Sequence, residues 1–130
     1  MSETEKITIN LGLVDLGQID LLVQEGFYSN RTDFIRTSIR NQLATHAEEV
    51  RQTVARKTLV LGLQHYTRRD LEAVREAGEM LEIRVLGLAS FDDDVGPELA
   101  LATIDSVIVL GALRASPAVK SALKDRIQTP

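Results

Sequence analysis

The segment Lys6-Ile7-Thr8-Ile9-Asn10-Leu11 alternates polar and apolar residues, and two helix-patterned segments follow it before residue 55. A period of two places Ile7, Ile9 and Leu11 on one face and Lys6, Thr8 and Asn10 on the other. A lone strand of this kind leaves its backbone groups unpaired and its apolar face uncovered. No antiparallel partner lies nearby in the sequence, so the simplest partner is the same strand of a second copy. A two-stranded ribbon across a two-fold axis presents Lys6, Thr8 and Asn10 of both chains as one polar strip. Such a ribbon fits the major groove of DNA.

The first helix is expected from about Asp15 to Glu25, with Leu16, Ile19, Leu22 and Val23 as its apolar stripe. Gly26 suits the left-handed position that ends a helix, and Phe27 is placed to fold back on it. Ser29 and Asn30 are both good N-caps for the second helix. Asn30 with Asp33 three residues on resembles a capping arrangement, with the acid favourable to the helix dipole. That helix turns Phe34, Ile35, Ile39 and Leu43 inward and Arg31, Arg36 and Arg40 outward. Its pattern continues through Ala47, Val50 and Val54, as one long helix or as two with a bend.

Strand, glycine turn and helix start, in this order and spacing, resemble the ribbon-helix-helix family of CopG-like transcriptional regulators. The resemblance covers residues 6 to 43, and its most specific part is Tyr28-Ser29-Asn30-Arg31-Thr32-Asp33-Phe34-Ile35-Arg36. It implies an intertwined homodimer that binds double-stranded DNA with its ribbon in the major groove. Lys6, Thr8 and Asn10 would then be the base readers: lysine donates to guanine, asparagine reads adenine, and threonine offers a hydroxyl or a methyl. Ser29, Asn30 and Arg31 would hold a backbone phosphate at the start of the second helix. Ser29 and Asn30 serve equally well as caps with no DNA present. Nickel-responsive members of the family depend on histidines in their regulatory portion. This chain has only His46 and His65, so nickel sensing is not expected.

The remaining residues repeat themselves. Val60-Leu61-Gly62-Leu63, Val85-Leu86-Gly87-Leu88 and Val109-Leu110-Gly111-Ala112 recur at spacings of 25 and 24. Each reads as a buried strand followed by a turn and a helix. The helices are expected over Arg68 to Leu81 with Thr67 as cap, over Pro97 to Ile104, and over Pro117 to Ile127 with Ser116 as cap. Three such units argue for parallel strands with right-handed crossovers, stacked as a short solenoid; a doubly wound α/β layer is the rival. The glycines within the repeats suit close strand-helix packing. The open edges of so small a sheet are expected to associate, which makes residues 59–130 a route to higher oligomers. The expected fold is therefore mixed α/β: a ribbon-helix-helix domain over residues 1–45 as a swapped dimer, a helical linker over 46–58, and a domain of three β-α repeats over 59–130.

Charge weighs against DNA and has to be answered. The net charge is −4, and the chain up to Thr58 carries 7 basic and 8 acidic residues. Weak phosphate attraction per dimer is the expectation, offset where several dimers bind together. The chain contains no cysteine, which fits a reducing cytoplasm, and no apolar run approaches the ~20 residues that span a bilayer. The acidic start, Met1 to Glu5, is unlike a secretory signal. No metal site, cofactor, membrane partner or catalytic Ser/His/Asp set is nominated, and no enzyme is expected. Asp92-Asp93-Asp94 with Glu98 reads as a solvated acidic loop, since the spacing is not that of a calcium loop. Two further readings stay open. One is an antitoxin whose C-terminal part neutralises a toxin, and the other a filament or scaffold protein assembled through the repeats.

Overall fold

A computed structural model describes residues 4–128, which divide into two compact units with the boundary after Thr53. In the first unit, residues 4–12 are neither helix nor strand, and α1 (Leu13–Gln24) and α2 (Arg31–Thr45) follow. Gly26 takes φ +86, with its N–H on the Val23 carbonyl and the Phe27 N–H on that of Leu22. This is the paired bonding of a left-handed helix stop, as the glycine led us to expect. The Phe27 side chain nonetheless remains 71% exposed. The long second pattern breaks at His46 into α2 and α3 (Ala47–Lys57), so it is two helices.

The second unit is a parallel sheet of four strands in sequential order: β1 (Val60–Tyr66), β2 (Leu81–Phe91), β3 (Ile104–Arg114) and β4 (Ile127–Gln128). Between them run α4 (Arg68–Glu76), α5 (Pro97–Thr103) and α6 (Pro117–Ala122), each packing on the next. A doubly wound sheet reverses its strand order midway, and this one does not. The stacked arrangement therefore holds. Alternate residues of β2 (Ile83, Val85, Ala89, Phe91), with Ile104 and Val107 of β3 on either side of a register shift, are buried with Leu71, Leu99, Ala100, Val119 and Leu123 of the helical side. The opposite sheet face is apolar too, with Leu61 and Leu63 more than 60% exposed.

Three boundaries differ from the sequence expectation. Helix α4 ends at Glu76 because Gly78, at φ +69, turns the chain, so Leu81 opens β2 and Met80 is exposed. Ile104 opens β3 rather than closing α5. Helix α6 stops at Ala122, and Ile127, expected as its last apolar residue, instead begins a fourth strand beside Val107. Arg126 helps to fix that end, since its guanidinium donates to the carbonyls of Leu101 (2.6 Å) and Ile104 (2.7 Å).

The repeat glycines do not serve strand-helix packing. Gly62, Gly87 and Gly111 lie in register across the sheet, with φ of +129, +140 and +117. A Cβ on Gly87 would stand 2.1 Å from the Gly62 carbonyl oxygen, and one on Gly111 2.1 Å from that of Gly87. They permit close strand-strand approach at inverted φ. A Cβ on Gly62, on the outermost strand, would meet nothing within 4 Å.

Gly62→Ala should therefore carry only the backbone strain, about 1–3 kcal/mol, and keep a cooperative thermal transition. Gly87→Ala adds a clash between main chains and should abolish that transition; circular dichroism melts of the two variants compare them. Thr58 ends α3 at φ +56, a β-branched residue where glycine is preferred. Thr58→Gly should raise the melting temperature, by about 4–8 °C per kcal/mol of strain relieved.

Candidate nucleic-acid interface

Lys6, Thr8 and Asn10 lie in the segment before α1, and all three are exposed. Their apolar neighbours are exposed as well: Ile7 by 75%, Ile9 by 61% and Leu11 by 40%. Among the described residues no strand pairs with the segment. The apolar residues of the two helices tell the same story. Ile19 is the one buried hydrophobic residue among those described in this unit, while Leu13, Val14, Leu21, Ile39 and Leu43 stand open. At about 25 cal/mol per Å² of apolar surface, this exposure is a standing drive toward association.

The start of α2 is tied down by local bonds. The Asn30 side chain accepts from the Asp33 N–H at 2.7 Å, as a cap. The Asp33 carboxylate in turn accepts from the Ser29 N–H (2.9 Å) and hydroxyl (3.1 Å). These two Ser29 donors, backbone first, hold the Asp33 carboxyl below its ordinary range. Arg31 holds Asp20 of α1 through two bonds, Nε–Oδ1 at 2.7 Å and Nη2–Oδ2 at 2.8 Å. That grip lowers the Asp20 pKa and raises that of Arg31. Tyr28 meets Phe34 edge-on, with centroids 5.0 Å apart.

Ser29, Asn30 and Arg31 thus come together at one helix start, and each already has a partner within the chain. A phosphate arriving here would meet the positive end of the helix dipole, with the Asp33 N–H already taken by Asn30. Arg31 would have to share its charge with Asp20. The Asp20–Arg31 link was not legible in the sequence, because it joins two helices across eleven positions.

A second polar cluster escaped the sequence reading. His65 at the end of β1 lies with Nδ1 2.7 Å from Ser90 Oγ and Nε2 2.7 Å from Asp92 Oδ1. These three groups border a cleft of about 290 Å³ at the carboxyl ends of the strands, with Leu88, Asp93 and Arg114. Asp92 is thus a partner of His65, while Asp93 and Asp94 beside it are exposed, as a solvated run would be. The repeat itself held the signal: in register, His65 falls opposite Ser90.

Among the described residues no helix is long and apolar enough to cross a membrane. A profile of the Ribbon-Helix-Helix transcriptional regulator family matches residues 2–120. The match runs well past the first unit and takes in β1, β2 and β3. No curated protein and no solved structure matches the chain.

The Asp33 arrangement has an acid signature. Its folded pKa lies below the ordinary 3.8, so the cap is at full strength above that pH and is lost as pH falls through the lowered value. Melting temperature against pH should show this loss in the wild type. In Asp33→Asn that part of the acid dependence should vanish and stability at neutral pH should drop.

Proposed function

The chain belongs to the ribbon-helix-helix transcriptional regulator family, and from that premise we propose that it is a sequence-specific DNA-binding regulator acting as a homodimer. Two copies pair residues 6–11 into an antiparallel ribbon, which enters the major groove. Lys6, Thr8 and Asn10 read base edges there, and Ser29, Asn30 and Arg31 anchor a phosphate on each side. The observation that carries this reading is the unpaired, alternating segment with its exposed Ile7, Ile9 and Leu11. A second copy supplies both the missing strand and the missing apolar cover. Members of the family act as regulators rather than enzymes, and the protein works in the cytoplasm without a cofactor. Residues 59–130 join dimers into larger assemblies, which offsets the near-neutral charge of the DNA-binding part through effective concentration.

The test begins with sequences that the wild-type protein selects from a random DNA pool. Thr8→Ala and Asn10→Ala should each reduce the preference for the selected sequence over scrambled DNA by roughly 5- to 150-fold, the equivalent of about 1–3 kcal/mol. Both variants should still sediment as the dimer. Gel shifts in which both keep wild-type discrimination would overturn the base-reading roles.

A further inference from the structure

The sheet face turned away from the helices has a layout of its own. Alternation sets Leu61 and Leu63 of β1, Leu86 and Leu88 of β2, and Leu110 and Ala112 of β3 on it, opposite the buried Ile83, Val85 and Ala89. In register these six residues form two rows across the strands, Leu61-Leu86-Leu110 and Leu63-Leu88-Ala112. Leu61 is 69% and Leu63 61% exposed, and the other four are partly buried.

The two ends of this face differ in charge. At the amino ends of the strands Arg56, Lys57 and Arg84 border a cleft of about 490 Å³ together with Ile108 and Leu110. Arg84 is poorly engaged there. Its Nη1 lies 3.4 Å from the Lys57 carbonyl oxygen, its Nη2 3.7 Å from Glu82, and its buried Nε has no acceptor among the described residues. A guanidinium so placed gains from a carboxylate brought to its outer edge. At the carboxyl ends, Asp92 and Asp93 border the cleft already described, beside an Arg114 that is itself engaged. The amino end is thus the cationic one and the carboxyl end the acidic one.

Such a face fits its own copy in one direction. Turned end over end about a two-fold axis lying across the strands, a second sheet lays its acidic end on the cationic end of the first, at both ends at once. The same turn exchanges the two rows, with Leu61 over Leu63, Leu86 over Leu88 and Leu110 over the smaller Ala112, at the spacing of about 10 Å between packed sheets. With the strands of both copies running the same way, like charges would meet instead.

We propose that this face docks on the same face of a second copy, antiparallel across a two-fold axis. This rests on the reading that residues 59–130 join copies, and it names the surface. Three strands about 4.8 Å apart, each contributing seven residues of about 3.3 Å, give a flat footprint of roughly 330 Å². A standard stable interface takes about 800 Å² from each partner, so one such contact is weak. Two ribbon-paired dimers that engage through both of their faces gain avidity. Each face saturates its partner, so the assembly closes at four chains.

In sedimentation without DNA, the full-length wild type should pass from two chains to four as its concentration rises. Leu63→Lys, at an exposed position, should stay at two chains while keeping the wild-type circular dichroism melt. Lys57→Glu and Asp93→Lys, both also at exposed positions, should each raise the concentration of half-assembly several-fold. The double variant should bring it back toward wild type, because the exchanged charges again face their opposites. A wild type that never exceeds two chains would overturn both the contact and the reading beneath it. Assembly to four chains in Leu63→Lys would overturn the contact alone and leave another surface of residues 59–130 to join copies. A double variant no better than its single parents would overturn the antiparallel docking.

Discussion

Main-chain hydrogen bonds demand partners, and this chain carries strand-forming sequence that its own fold leaves unmatched. Residues 6–11 have the alternation of a strand and, among the described residues, no strand beside them. β1 has one neighbour where an interior strand has two. In both places the adjoining apolar side chains are exposed, so the polar demand and the hydrophobic one act in the same direction. In the proposed homodimer a second copy supplies what residues 6–11 lack.

The two units meet this constraint in different ways. The first unit has almost no core of its own, with Ile19 its single buried hydrophobic residue among those described, and helix caps and one bidentate ion pair order its turns. Exposed ion pairs contribute little stability. The Asp20–Arg31 pair is better understood as fixing the approach of α1 to α2, and so the placement of the α2 start. The second unit buries a continuous core between one sheet face and three helices. It is the part with a hydrophobic interior of its own.

Local chemistry was legible in the sequence wherever neighbours along the chain settle it. Gly26 marked the α1 stop, Asn30 and Asp33 marked the α2 cap, and the Val-Leu-Gly repeats marked three parallel strands. The family resemblance rested on the same short-range signals, and the match over residues 2–120 bears it out. Misreadings came where helical spacing outlasts the helix. Met80 and Leu81 keep the apolar rhythm beyond Gly78, and Ile127 keeps it beyond Leu123, although both segments have left their helices. The glycines were assigned the wrong neighbour, because their need comes from the adjacent strand at the same height. The His65–Ser90–Asp92 cluster was invisible for a related reason: its members are 25 and 27 positions apart and meet only when two repeats align.

Because each strand and helix of the second unit touches chiefly the ones before and after it, its stability is close to a sum over neighbouring repeats. Duplication or loss of one whole 24- or 25-residue module would then preserve every remaining junction. Such a scaffold can change length over evolution without redesign of its interior, lengthening or shortening the second unit while the first stays the same.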